Sequence, residues 1–370
     1  MKEKWTYKKI GSICDVKTGK LDANASDENG IYPFFTCSKE PLRINTYSYD
    51  AECVLIAGNG DLNVKYYNGK FDAYQRTYIL TIKKGVTDVS MQYLYLFFQL
   101  YIETLRKNSI GGVIKYIKLG DITEAKTPVP PIETQSRIVS ELDLLQTIID
   151  KQKAQLKELD NLAQAVFYDM FGDPVENDKG WEVKRLGDEC TDMKYGTSQP
   201  SCENGKYSYL RMCNISSDGH LDLNNLKTID VPDDEVEKCI VRYGDILFNR
   251  TNSIDLIGKT CMFDLETPMI IAGYIIRVRL SEKLESRFVS CMFNMPSMKK
   301  LLRAMAKGAV NQANINSKEL ASIIIPIPPV ILQHSFASKI ESIEKQKAAI
   351  TQSIAETQGL FDYTMDKYFG

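Results

Sequence analysis

The sequence predicts an α+β protein: two mixed α/β domains, each followed by a long helix, the two helices pairing as an antiparallel coiled coil with pseudo-twofold symmetry. Three observations predict it. PVPPIETQ at Pro128–Gln135 returns as PIPPVILQ at Pro326–Gln333, and each copy opens a helical run that ends in Phe-Gly, at Gly172 and Gly370, all shifted by 198. Trp5, Lys8, Gly11 and Cys14 recur as Trp181, Lys184, Gly187 and Cys190, shifted by 176. Both helical runs carry an unbroken heptad seam. The chain is a duplication, and the second copy holds 22 extra residues before its proline motif.

Four segments follow: residues 1–127, 128–172, 173–325 and 326–370. The first and third read as mixed. Short β-rich stretches at Cys53–Ala57, Tyr78–Ile82, Asp245–Phe248 and Ile270–Val278 lie between glycine turns, with helical patches at Met91–Arg106 and Phe288–Arg303. In the second segment the seam runs Ile138, Leu142, Leu145, Ile149, Gln152, Leu156, Leu159, Ala163, Val166, Met170. Spacing of 4 and 3 in strict alternation keeps one stripe facing a partner helix along its whole length. The same phase in the fourth segment gives Phe336, Ile340, Ile343, Lys347, Ile350, Ile354, Thr357, Phe361, Thr364, Tyr368. The polar seam residues Gln152, Lys347, Thr357 and Thr364 fix register or face partners. Each run starts after Pro-Pro, where a missing N–H costs nothing in the first turn, and Glu133 adds charge at a positive helix end. About 38 residues at ~1.5 Å each give a rod of roughly 57 Å. The alternative is that each rod packs on its own globular domain.

Composition narrows the class. The chain has 370 residues, 44% apolar and 25% charged, which is ordinary for a globular protein. MKEKWTYKK lacks the apolar run of a signal peptide. The most apolar runs, Tyr93–Ile102 and Ile323–Leu332, are too short to span a bilayer, so a cytoplasmic protein is expected. Nine cysteines include no CxxC pair, the closest two being Cys202 and Cys213, which predicts reduced, mostly buried thiols and no metal site. His220 and His334 read as surface or packing residues. Net charge is −2 and pI about 5.9, unlike a generic nucleic-acid coat. The two helical runs together carry −4, so the remainder is weakly positive and permits a basic groove.

Binding candidates cluster on loops. GDILFNRTNS, Gly244–Ser253, is an apolar strand whose exit presents Asn249, Arg250, Thr251, Asn252 and Ser253, with Lys259 just beyond. Arg reads guanine bidentately and Asn reads adenine, while Ser and Thr bond phosphates or either base. The first domain offers AGNGD, with Gly58, Asn59 and Asp61, and then Tyr74, Gln75 and Arg76. A third loop precedes each rod, GGVIKYI with Lys115 and GAVNQANI with Asn311, Gln312 and Asn314; Arg211, beside Tyr207 and Tyr209, is a further candidate. The alternative for each is a polar turn that closes its own loop. The many tyrosines here pack the core or stack on bases.

No catalytic residue is expected. Pro-Pro is preceded by Val129 or Ile327 and followed by Ile132 or Val330, so the Asn/Asp-Pro-Pro-aromatic string of an adenine methyltransferase is absent, as are FxGxG and a P-loop. Pro232-Asp233 has no following Asp/Glu-x-Lys, and Asp15-x-Lys17 and Asp192-x-Lys194 read as turn residues.

Twice-repeated PxPPxxxQ opening a coiled coil, with GDILFNRTNS between, resembles the specificity subunit of type I restriction-modification systems. The resemblance spans essentially the whole chain. It implies that residues 1–127 and 173–325 are target recognition domains for the two halves of a split double-stranded DNA sequence, and that 128–172 and 326–370 form the spacer. It further implies two docked methylation subunits, which carry S-adenosylmethionine and methylate adenine at N6, and motor-nuclease subunits using ATP and Mg, with no cofactor on this chain. CVLIAGNGD in the first domain departs from the second domain's string. Open alternatives are a related system with fused methylation and cleavage partners, a coiled-coil adaptor without DNA binding, and an enzyme with an unrecognised site.

Overall fold

The computed structural model describes residues 5–309 and 312–370. The chain divides into two compact units, Met1–Ala154 with Thr351–Gly370, and Gln155–Ile350. Each unit contains one mixed domain and a part of both long helices, Ile132–Phe171 and Val330–Phe369, of 40 residues each. Among the described residues no helix is long and apolar enough to cross a membrane.

In the first unit a six-stranded sheet runs in the order Cys14–Thr18, Thr77–Ile82, Tyr49–Ala57, Val64–Ala73, Tyr32–Phe35, Leu42–Ile44. All neighbours are antiparallel except Phe34–Phe35, which pair in parallel with Asp72–Ala73. Helix Met91–Asn108 covers one face and buries Leu94, Phe97, Phe98 and Leu105 against Val54, Ile56 and Leu80. Its other flank, Tyr93 and Leu96, joins Ile138, Leu142, Met365 and Tyr368 in a second core made with both long helices.

The second unit has a four-stranded sheet, Cys190–Tyr195, Ile275–Leu280, Ile246–Asn249, Thr260–Met262, beside another, Lys227–Ile229, Tyr207–Leu210, Met269–Ile271, Ile240–Val241. Arg277 crosses between them, 1% exposed, donating to the Asp192 carboxylate and to the carbonyls of Ile240 and Glu237. Asp192 is therefore a strand residue holding a buried cation, not a turn residue as expected, and Asp15 likewise lies in a strand. Two other sequence expectations change. Ile270–Val278 is two strands in different sheets, broken at Ala272–Tyr274, and Phe288–Arg303 is two helices, Ser286–Asn294 and Pro296–Met305. Pro296 lacks the N–H needed to continue the first and sits in the opening turn of the second. Of the cysteines, four are buried, three half-buried, and Cys202 and Cys213 are exposed.

Framework pairings and hydrogen bonds recur in the two copies. Tyr7 pairs with Pro128 and Val183 with Pro326; Ile10 N donates to Ala125 O and Leu186 N to Ile323 O, both at 2.8 Å. The repeated glycine has a steric cause. A Cβ on Gly11 would stand 3.0 Å from Thr123 Cβ, and on Gly187 2.9 Å from Ala321 Cβ, where the strand entry crosses a short helix. Phe171, ending the first long helix, packs on Phe288 at 4.6 Å, while Phe369, ending the second, packs on Tyr93 at 4.9 Å. Register also locates the extra residues. Phe35 and Leu210 end equivalent strands, as do Val54 and Ile246 at the start of the next pairing; the intervals are 19 and 36, so the main insertion lies between Leu210 and Ile246. It carries the helix Asp233–Cys239.

Within each unit the long helices run antiparallel. In the first, Tyr368 Oη bonds Glu141 at 3.1 Å and Gln152 Nε2 donates to Ser353 Oγ at 2.7 Å. In the second, Lys347 pairs with Asp160 at 2.8 Å and Phe167 meets Phe336 at 5.5 Å. Rising numbers on one helix meet falling numbers on the other. Every seam position is buried or half-buried, and Gln152 and Lys347 each find a polar partner across the seam.

Candidate nucleic-acid interface

Three loops converge at the same place in each copy, held by backbone. In the first domain, strand Tyr49–Ala57 exits at Gly58, whose N–H donates to Arg76 O at 2.8 Å and whose carbonyl accepts from Ile117 N at 3.0 Å. Asn59 bridges to Tyr116, and Gly60 N donates to Lys115 O. In the second, Arg250 N donates to Tyr274 O at 2.9 Å and Arg250 O accepts from Ile315 N at 2.9 Å; Thr251 and Asn252 pair with Asn314 and Ala313. Gly58 and Arg250 thus occupy equivalent positions, and so do Lys115–Ile117 and Ala313–Ile315.

The side chains at this junction differ. A Cβ on Gly58 would fall 2.4 Å from Arg76 O, so no side chain fits there without backbone movement. What remains is an open cleft of about 560 Å³ lined by Thr18, Gly19, Lys20, Gly58, Gln75 and Arg76. Lys20, Gln75 and Arg76 are exposed. In the second domain the Arg250 guanidinium occupies this place, 4.9 Å above the Tyr195 ring, donating to Gly273 O at 3.3 Å. Tyr195 Oη is itself held by Ser317, accepting from its N–H at 2.8 Å. A planar cation stacked on an aromatic face is pre-oriented for bidentate bonding.

The remaining candidates sort by availability. Asn249 is a correction: it is 0% exposed, and its Nδ2 donates to Met212 O at 3.3 Å, so it supports the loop from beneath because the strand turns its side chain into the sheet. Thr251 Oγ1 donates to Asn314 Oδ1 at 2.9 Å, and Asn252 Oδ1 accepts from Ser253 N, so these close the loop as well as edging it. Asp61 ion-pairs with Arg106 and Lys39, and Arg211 donates to Asn225 O at 2.8 Å. Tyr74 is half-buried, its N–H donating to Phe35 O. Lys115 and Gln312 are exposed; Ser253 and Lys259 are half-buried, and burial lowers the Lys259 ammonium pKa. Asn311 lies outside the described residues.

Sequence reasoning missed Thr18, Gly19 and Lys20 in the first domain, and in the second it took Tyr195 only as one of the tyrosines that pack or stack, without its pairing to Arg250. A signal was present: DVKTG at Asp15–Gly19 returns as DMKYG at Asp192–Gly196. In both copies that glycine crowds a carbonyl of the neighbouring strand, Ala73 O and Ile271 O at 2.1 Å from a built Cβ.

Residues 2–161 and 178–357 both match the family described as type I restriction modification DNA specificity domain. The chain is 38% identical over 155 residues to the type I restriction enzyme EcoDI specificity subunit of Escherichia coli, a match covering 42% of this chain and 34% of that one. It is 24% identical over 293 residues to the EcoKI specificity subunit of Escherichia coli strain K12, covering 73% and 62%. The chain therefore spans between about a third and two thirds of the length of these two relatives. Its fold is that of the type I restriction-modification S subunit crystallised from M. genitalium, with TM-score 0.63 over 99% of this chain and 96% of that one at 15% identity. With matched segments over both copies, this chain belongs to the type I restriction modification DNA specificity domain family.

Proposed function

We propose that this chain is the DNA sequence-recognition subunit of a type I restriction-modification complex. Each recognition domain reads one half of a bipartite double-stranded target. The paired helices set the spacing and dock two methylation subunits. The observation that carries this reading is the junction described above: an identical backbone frame in both copies presents different side chains, Gly58 over an open cleft and Arg250 over Tyr195. A fixed frame with variable loops suits a reader of two unlike sequences, positioned by phosphate contacts and specified by base contacts.

Catalysis belongs to the partners in this proposal. Methylation subunits holding S-adenosylmethionine extract the adenine of each half-site and methylate N6, and motor-nuclease subunits supply ATP- and Mg-dependent translocation and cleavage. This chain contributes selection and geometry and holds no cofactor. The test is to express the chain with a methylation subunit and map methylated adenines across the host genome. A split motif with a constant gap is the expected result. A continuous motif, or no methylation dependent on this chain, would overturn the proposal.

A further inference from the structure

Helix Pro296–Met305 brings two cations onto the loop that follows the Arg250 junction. Lys299 Nζ donates to Gly258 O at 2.8 Å, and Arg303, one turn later, directs Nη2 to Asp255 O at 3.4 Å. Lys259 is the next residue along that loop and is half-buried. Three cations therefore crowd one loop of five residues, and among the described residues none of them has a carboxylate ion pair. Burial, and then the charges of Arg303 and Lys259, push the Lys299 ammonium down to about 7; burial also lowers Lys259. Like charges gathered without a counter-ion disfavour the free state. They persist where the structure fixes them, and here two loop carbonyls hold the heads in place. One donor of each head is used, which leaves two on Lys299 and four on Arg303.

We propose that Lys259, Lys299 and Arg303 form a clamp for the DNA phosphate backbone on the second recognition domain, beside the base-reading junction. The ligand class is a phosphodiester oxygen, a monoanion accepting several charge-assisted bonds. The clamp rests on the recognition reading above and adds its positioning contact. Arg250 and Asn314 would select bases, and the clamp would set the register of the duplex against them. Nothing in the sequence flagged Lys299 or Arg303, because they are 40 or more residues from the loop they serve.

The experiment uses the full chain assembled with its methylation subunits. It measures affinity for a duplex carrying the motif mapped in vivo, and for an unrelated duplex, across a salt series. Lys299→Gln and Arg303→Gln should each weaken both duplexes by similar factors and lower the slope of log affinity against log salt by about 1. Lys299→Arg should restore the slope. Thermal melting separates binding from folding: removing half-buried Lys299 or exposed Arg303, neither of which has a carboxylate partner among the described residues, should leave the melting temperature unchanged or higher. If the wild-type complex binds its motif selectively while both glutamine variants keep the full slope, the clamp is wrong and the recognition reading stands. If inorganic phosphate raises the melting temperature of wild type alone yet the slopes match, the site takes a small anion and the DNA clamp is again overturned. A wild-type complex with no selectivity between the duplexes would instead refute the recognition reading.

Discussion

Gln135 accepts a hydrogen bond from the backbone N–H of Ser90 at 2.9 Å, and Ser90 is the N-cap of helix Met91–Asn108. The same amide donates to Asp88 O at 2.7 Å and to Pro130 O at 2.8 Å. Gln333 repeats all three bonds, to Glu285 N, Lys283 O and Pro328 O, and Glu285 is again an N-cap. Both glutamines are 0% exposed. The last residue of PxPPxxxQ thus ties the start of each long helix to the start of the domain helix beside it.

Gln135→Ala or Gln333→Ala should therefore leave one buried carbonyl and two part-buried backbone groups without this partner, costing about 2–4 kcal/mol. Glutamate at either site should cost more, since a carboxylate would face two carbonyl oxygens. Urea denaturation of single variants checks this. A loss below about 0.5 kcal/mol would mean that water replaces the side chain.

Arg250 is predicted to carry specificity in the second half-site through its stacked, planar fork. Arg250→Lys keeps the charge but loses the fork, and should reduce affinity for the cognate duplex about 10- to 100-fold, corresponding to ~1–3 kcal/mol. The first half-site should be read as before. Competition binding with duplexes altered in one half-site at a time measures both effects; equal losses at the two half-sites would contradict it.

Glu189 gives a pH-dependent prediction. Its carboxylate is 4% exposed, accepts from Ser281 Oγ at 2.8 Å and pairs with Lys184 at 3.1 Å. The Ser281 hydroxyl first, then Lys184, holds its pKa below the usual glutamate value of 4.5. Since the folded pKa is depressed, this stabilisation is fully present above the unfolded value and is lost as pH falls through the folded one. Glu189→Gln should be less stable than the parent at pH 7 and should approach it below about pH 4. Chemical denaturation at both pH values measures the gap; a gap that is constant with pH would mean that the carboxylate charge contributes nothing.

The parts of this molecule that repeat were legible, and the parts that differ were not. Proline motif, heptad phase and terminal Phe-Gly marked both long helices to within a few residues because their pattern is periodic and long. The ten-residue strand Val64–Ala73 was missed, since VKYYNGKFDA lacks clean alternation and owes its conformation to pairing with Tyr49–Ala57. At the candidate interface, GDILFNRTNS marked the loop that holds Arg250 at the junction, yet Asn249 points into the sheet, because strand phase decides which of two adjacent polar residues faces outward. The Gly58–Arg250 equivalence could not be read from residue types at all. It rests on matching backbone bonds between loops of different length.

The paired helices carry the last prediction. The seam residues Gln152 and Lys347 meet Ser353 and Asp160 across the pair, so a heptad added to one helix alone would shift these partners out of register. A heptad added to both, in the stretch between these contacts, keeps the seam in phase and lengthens each helix by about 10 Å. If the helices act as the spacer, the unread gap should grow by about 3 base pairs at 3.4 Å each, with both half-sites unchanged. Genome-wide methylation mapping of the doubly extended variant reads gap and half-sites together. An unchanged gap in a folded, active variant would show that something other than helix length sets the spacing, whereas altered half-sites would show that the recognition domains do not read independently of the frame.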